Sequence, residues 1–112
     1  MRKAHPLRKR ARDFGGEYVL GMRDLKTHAC YLIYGELAPG ETGRRVSPGE
    51  GHEEILLAVT GDVTLVEGTE ASVLREGEAV HFAGEETVLL SNPGRETCVY
   101  VLAGGHSSGG HS

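Results

Sequence analysis

Short apolar runs, rich in β-branched and aromatic residues, alternate with clusters of Gly, Pro, Asn and Asp along most of the chain. A turn signal recurs at intervals of about ten residues, and no stretch has the apolar period of an amphipathic helix. This pattern predicts eight or nine short strands, at 17–22, 28–37, 45–47, 53–59, 63–66, 71–75, 79–82, 87–91 and 97–103, with the strand at 45–47 the one left open. The predicted fold class is all-β, an antiparallel sandwich or barrel, and a small jelly-roll barrel would also protect the sheet edges.

Composition agrees with one small domain. The 112 residues include 17 glycines without a collagen period, so the glycines are predicted to form turns. We expect a basic arm at 1–13, the barrel at 14–103 and a disordered Gly/Ser/His-rich tail at 104–112. Because no apolar run has the length of a membrane span and no apolar signal core follows the basic N-terminus, a cytoplasmic location without membrane contact is expected.

The charge is unevenly distributed. Six of the twelve basic residues lie in the first twelve positions, whereas the other 100 residues hold six basic and sixteen acidic ones. The arm is therefore predicted either to be a mobile, solvated tail or to fold back on its own acidic barrel, and Pro6 argues against a long helix. Nucleic-acid binding is not expected, since the arm has no aromatic residue for base stacking and the body has no basic face.

Familiar catalytic motifs are missing from the sequence. Cys30 and Cys98 lie in separate apolar runs and are predicted to be buried, reduced thiols. There is no Ser-His-Asp order, no Gly-rich phosphate loop and no paired-cysteine motif, so neither a hydrolase nor a nucleotide-binding protein is indicated.

The candidate site lies in the stretch 48–61, where ionisable residues precede a buried apolar strand. If this segment is extended, Glu50, His52 and Glu54 point to the same face. Carboxylates entering a buried strand are costly unless a partner satisfies them. A metal ion or a polar ligand is therefore the expected partner of this row.

Two pairs of residues resemble the sequence motifs of the cupin family. Glu54 and Gly61 have the separation found at the end of the first cupin motif, and Gly77 and Asn92 have that of the second. The resemblance covers roughly residues 30–103. It implies a cupin-like jelly-roll barrel, a homodimer and a divalent metal at the barrel mouth, held by two histidines and a glutamate of the first motif and a histidine of the second.

Most of these ligand positions have lost their histidine. They hold Pro48 and Glu50, or Ser47 and Gly49 with the longer spacing, and Val88 or Thr87 in the second motif. The predicted metal ligands are therefore Glu54, Glu50 and His52, completed by His81 as first choice and His28 as second. Manganese, iron and zinc all suit such a set.

Other side chains are candidates for contact with a small molecule. Tyr31 and Tyr34 point to opposite faces of one predicted strand, so only one of them can face the interior; Tyr34 and Thr87 are predicted to bind the ligand. In the alternative without metal, Glu54 pairs with Arg44 or Arg45, and His52 packs against the barrel mouth.

Two functions follow from the resemblance. The first is a cupin that uses a divalent metal for Lewis-acid or dioxygen chemistry, dioxygenase-like or isomerase-like, on a small organic substrate. The alternative is a metal-free, non-catalytic barrel that binds a small ligand as a sensor or binding module. A barrel kept only for assembly is a third, weaker option.

Overall fold

The computed structural model describes residues 1–106, which form nine strands and two short helices. The strands are β1 Glu17–Leu20, β2 Cys30–Leu37, β3 Arg44–Val46, β4 His52–Thr60, β5 Val63–Glu67, β6 Glu70–Leu74, β7 Ala79–Ala83, β8 Val88–Ser91 and β9 Cys98–His106. The helices are α1 Leu7–Asp13 and α2 Met22–Leu25. Each strand overlaps a predicted one, including the open one at 45–47, where β3 is found.

The strands form two antiparallel sheets that face each other. The large sheet has the order β1-β2-β9-β4-β7, and the small sheet has the order β3-β8-β5-β6. Consecutive strands seldom lie side by side in the large sheet, which is the arrangement of a jelly roll rather than of a meander. The predicted all-β barrel is thus confirmed. No helix within residues 1–106 is long and apolar enough to cross a membrane.

Strand alternation places the core between the sheets. On β4, Glu54, Leu56 and Ala58 are buried, whereas Ile55 and Leu57 are exposed on the outer face. This follows from the two-residue period of a strand, which directs alternate side chains inward. The apolar core is formed by Leu37, Val46, Leu56, Ala58, Val63, Leu65, Leu74, Phe82, Val88, Leu90, Cys98, Tyr100 and Leu102.

Two glycines in the large sheet make room for tyrosine rings on neighbouring strands. In the β2–β9 register, Gly35 lies opposite Tyr100 and Gly104 lies opposite Tyr31. A Cβ atom added at Gly35 would be 2.1 Å from Cζ of Tyr100, and one added at Gly104 would be 2.3 Å from Cζ of Tyr31. Each ring therefore lies across the opposite strand, where any other residue would collide with it.

The N-terminal arm folds back on the large sheet instead of extending into solvent. The helix α1 contacts β1 and β2, and it buries Ala11 completely. Arg12 lies 3.1 Å from the carboxylate of Glu36 on the outer face of β2. Of the two alternatives predicted for the arm, the structure shows the one in which basic residues meet the acidic barrel. Helix α1 follows Pro6 and has only seven residues, so it is too short to show the apolar period of an amphipathic helix.

The end of the barrel and the cysteines differ from expectation. Strand β9 continues to His106, three residues beyond the predicted boundary, and pairs there with β4. Residues 107–112 of the predicted tail lie outside the described residues. Both cysteines are free thiols; Cys98 is buried, but Cys30 is exposed. The predicted burial of Cys30 was wrong, because it begins β2 and its neighbour Tyr31 takes the inward position.

Candidate ligand-binding cleft

A cleft of about 310 Å³ opens where β2 and β4 begin, next to α2. Its volume is at the lower end of the range for small-molecule sites. Its apolar wall includes Val19, Met22 and Pro48, and its polar groups come from His28, Cys30, Tyr31, His52 and Glu54. The cleft therefore contains three of the residues that the sequence had indicated as candidate ligands: Glu54, His52 and the second-choice histidine His28.

Glu54 is the buried polar group of this cleft. Its exposed fraction is 5%, because β4 alternation directs it inward between Gly104 of β9 and Phe82 of β7. The hydroxyl of Tyr31 donates a hydrogen bond of 2.5 Å to Oε2 of Glu54. Tyr31 can reach this carboxylate because Gly104, between the two strands, leaves the space above it free.

The hydroxyl of Tyr31 keeps its proton. Burial raises the pKa of Tyr31, and the hydrogen bond to Glu54 together with the negative charge of that residue raises it further. Tyr31 is thus a fixed donor toward Glu54 over the whole physiological range. The sequence had left open which tyrosine faces the interior; the structure places Tyr31 there.

Three histidines surround the entrance. His52 of β4 lies opposite His106 of β9 in the register, with ring centroids 5.1 Å apart. The ring of His28 is 6.4 Å from that of His106, and the ring of Tyr31 is 6.2 Å from that of His52. His106 had been predicted to be a tail residue. The register of β9 could have indicated the position of His106. Extending β9 past residue 103 places its even-numbered side chains on the same face of the sheet as Glu54.

Glu50 and His81, two predicted metal ligands, do not join Glu54. Glu50 is exposed in the turn before β4, and its carbonyl oxygen, not its carboxylate, contacts Nδ1 of His52 at 3.1 Å. His81 pairs with Ile55 in the register and therefore faces outward. Its Nε2 lies 2.7 Å from Oε1 of Glu53, on the opposite side of the sheet from the cleft.

Tyr34 and Thr87, the predicted ligand-binding residues, also lie away from the cleft. Tyr34 is on the outer face of β2, where its hydroxyl donates to Glu36 at 2.8 Å. Thr87 is exposed before β8, and its hydroxyl contacts Ser47 at 3.3 Å. Both faces of β2 carry apolar and aromatic residues. The sequence pattern therefore did not distinguish the inner face of this strand from its outer face.

A family-type metal site does not fit the residues present. In the described part of the chain, no group of three or more His, Cys, Asp or Glu side chains is arranged to hold a metal ion. Around Glu54, the register neighbours are a glycine and a phenylalanine, which offer no side-chain ligand. The only side chain that contacts the Glu54 carboxylate within residues 1–106 is the protonated Tyr31, and the histidines of the cleft do not converge on it as a ligand set, which is poor ligation for any of the three metals considered.

The alternative partner predicted for Glu54 was wrong as well. No ion pair within residues 1–106 includes Glu54, and Arg45 is exposed. Arg44 instead donates to the hydroxyl of Tyr100 at 2.9 Å and to Glu41 at 2.6 Å. The arginine was assigned to the wrong carboxylate, because β3 belongs to the small sheet and lies toward the other end of the barrel.

Solved structures similar to this one are cupin barrels. A cupin 2 conserved barrel domain protein from Salinispora arenicola has a TM-score of 0.73 and 18% identity, with 96% of this chain and 92% of that chain covered. A predicted oxalate decarboxylase from Thermotoga maritima has a TM-score of 0.66 and 16% identity, with coverage of 83% and 85%. The cupin 2 domain of an XRE family transcriptional regulator from Enterobacter cloacae has a TM-score of 0.66 and 19% identity, with coverage of 82% and 98%.

Sequence comparison adds nothing to this likeness. No family model matches the chain, and a search of curated proteins finds no match. At these identities the structural likeness shows the fold alone. The chain therefore has the fold of a small cupin barrel, as its two motif remnants predicted.

Proposed function

We propose that this protein is a small-molecule-binding cupin barrel in which Glu54, held by the hydroxyl of Tyr31, contacts the ligand directly, without a bridging metal. The observation that carries the proposal is the position of Glu54: a 95% buried carboxylate, bonded only to Tyr31 among the described residues, in a cleft of ligand size. Burying a carboxylate with a single hydrogen-bond donor and no positive partner costs folding free energy. Such a costly group is typical of a binding site.

The metal-dependent alternative has weaker support. The similar structures include a predicted oxalate decarboxylase and a domain of a transcriptional regulator, so the same fold occurs in proteins of very different function. Metal-dependent chemistry of the dioxygenase or isomerase type would need donors that the neighbours of Glu54 do not offer. A binding or sensor module needs only the cleft and its polar groups, which are present.

The proposal is tested with the full chain after chelator treatment and removal of the chelator. Thermal shift and calorimetry with a library of small polar molecules should find a ligand that raises the melting temperature. Glu54→Gln should weaken its binding by tenfold or more, on the order of the net value of a hydrogen bond to a charged group. Glu53→Gln, on the same strand but facing outward, is the matched control and should bind normally.

A metal requirement would overturn the proposal. If ligand binding is lost after chelator treatment and restored by Mn²⁺, Fe²⁺ or Zn²⁺, then the metal-dependent function is correct. The measurement should include His111→Ala, since the Gly/Ser/His-rich C-terminal segment is a source of adventitious metal binding.

Assembly and location stay predictions. The outer face of β4 exposes Ile55, Leu57 and Val59, which is the apolar surface that the expected homodimer would cover. Light scattering on the wild type and on Leu57→Glu tests that homodimer, and fractionation of cells tests the cytoplasmic location.

A further inference from the structure

The charge balance around Glu54 indicates which class of ligand the cleft would take. A carboxylate has about four acceptor positions, and Tyr31 occupies one of them, at Oε2. Oε1 has no hydrogen-bond partner within residues 1–106. It is also not sealed from solvent, because the one fully enclosed side-chain atom without a partner in that part of the chain is Nδ1 of His5. An acceptor is therefore open to the cleft.

No lysine or arginine within residues 1–106 compensates this acceptor. In that part of the chain, neither residue type lines the cleft. The arginines that contact the large sheet bind other groups: Arg44 binds Glu41 and Tyr100, Arg10 binds Asp24, Arg12 binds Glu36, and Arg8 contacts Tyr34. Glu54 is thus the only carboxylate of the cleft lining, and its charge is not neutralised by an ion pair in the described part of the chain.

The remaining lining groups accept a ligand with an apolar body. Val19, Met22 and Pro48 supply apolar surface, and the small volume excludes large ligands. An anionic ligand would bring a second negative charge next to the largely buried Glu54, where the repulsion is stronger than between two charges in water. A cationic ligand would meet the open acceptor and remove the cost of burying Glu54.

We infer that the cleft recognises a small organic cation, a protonated amine or amidine on a compact apolar body, with Glu54 as the charge-pairing residue. This inference rests on the proposed function and deepens it. Tyr31 acts on Glu54 rather than on the cation, because its hydroxyl holds Oε2 and leaves Oε1 to the ligand.

Isosteric probes test the inference with the full chain at neutral pH, where alkylamines are protonated. The probes are benzylamine, benzyl alcohol and benzoate, and butylamine, butanol and butyrate. Affinities are measured by calorimetry, and the binding position by shifts of the backbone amide signals of Tyr31 and Glu54. We expect each amine to bind at least about tenfold more tightly than its alcohol, and each carboxylate to bind more weakly still.

Three variants separate charge pairing from general affinity. Glu54→Gln should bring the amine and the alcohol within about threefold of each other, whereas Glu53→Gln should keep the wild-type preference. Tyr31→Phe should lower the affinity for the amine but keep its preference over the alcohol, because it removes the donor that holds the carboxylate and leaves the charge in place. If Glu54→Gln does not fold, the wild-type preference for the amines over the alcohols and carboxylates, together with the result for Tyr31→Phe, remains the test.

The outcomes are distinguishable. If an alcohol or a carboxylate binds in the cleft as tightly as its amine, the inference is overturned and the proposed function stands. If the amine preference survives Glu54→Gln, or is lost in Tyr31→Phe, the role of Glu54 is wrong. If no probe binds and none shifts the amide signals of Tyr31 or Glu54, the inference and the proposed function fail together.

Discussion

Strands β2 and β9 carry the same arrangement twice, once at each end of their pairing. Tyr31 lies over Gly104 and donates to Glu54, and Tyr100 lies over Gly35 and donates to Glu17. Burial raises the pKa of both hydroxyls, with a further increase from the glutamate. The two tyrosine–glutamate pairs therefore have the same local chemistry.

Their surroundings differ. Tyr100 is completely buried between the sheets, and Arg44 bonds its hydroxyl and lies 3.9 Å from Glu17. The Arg44 side chain is itself only 14% exposed. Tyr31 is partly exposed at the cleft, and Glu54 has no arginine. The cluster around Tyr100 is closed, because Arg44 supplies its positive charge. The cluster around Tyr31 is open, because one carboxylate oxygen of Glu54 has no hydrogen-bond donor within residues 1–106.

This difference indicates separate roles for the two clusters. A satisfied polar network rigidifies a fold, whereas a partly satisfied one costs stability and is retained where a ligand completes it. We therefore expect substitutions around Tyr100 to affect mainly the free energy of unfolding. Those around Tyr31 should affect mainly binding.

The largest expected effect comes from filling the two glycines. Gly35→Ala forces the buried ring of Tyr100 out of the core and should lower the free energy of unfolding by about 3 kcal/mol or more. Gly104→Ala displaces Tyr31, which can move toward the cleft, so the loss should be about 1 kcal/mol and ligand binding should fail. Denaturant unfolding measures both. A larger loss for Gly104→Ala than for Gly35→Ala would contradict the comparison.

Removing the cation of the closed cluster is expected to have the next largest effect. Arg44→Met leaves Glu17 and Glu41 without their charge partner and should cost about 2 kcal/mol, since truncating one member of a partly buried network leaves polar groups unpaired. Arg45→Met changes the exposed neighbour on the same strand and is the control, with an expected effect below about 0.5 kcal/mol. Equal melting temperatures of the two variants would contradict the structural role of Arg44.

Neutralising the two glutamates should change stability in opposite directions. Glu54→Gln removes a buried charge that has no cation, so the free energy of unfolding should stay the same or rise by up to about 1 kcal/mol. Glu17→Gln removes the anion from beside Arg44 and should lower it by about 1 kcal/mol. Thermal unfolding of the ligand-free proteins measures the pair. Destabilisation by Glu54→Gln would mean that an unseen cation already neutralises the site.

The smallest effect is a pH dependence at the alkaline side. The pKa of each tyrosine is raised on folding, so its contribution to stability is complete below the unfolded value of about 10 and is lost as the pH rises through the folded value. The wild type should lose stability above about pH 10. The double variant Tyr31→Phe, Tyr100→Phe should lose less over the same interval. Tyrosinate absorbance measures the ionisation directly, with the denatured chain as reference, and ionisation of all four tyrosines of the folded protein together with those of the denatured chain would contradict the two buried donors.

Local patterns sufficed for much of the fold. All nine strands overlap their predicted positions, because period-two alternation and turn residues act over a few neighbouring residues. Alternation also placed His52 and Glu54 correctly on the same face of β4, since it depends only on residues close together in the chain. The short helix α1 was missed, because its stability comes from packing Ala11 on the sheet and not from a pattern within its own sequence.

The composition of the cleft depended on which strands become neighbours. Strand alternation alone could state that Tyr31 and Tyr34 face opposite ways, and the pairing of Tyr31 with Gly104 decided which one faces inward. The same pairing of distant segments turned His81 outward and brought His106 to His52. Turn and strand positions are properties of adjacent residues, but register joins residues many positions apart, and a shift of one residue reverses every side chain. The barrel fold could therefore be inferred from the sequence. The partners of Glu54 depend on the pairing of distant strands, which only the tertiary structure decided.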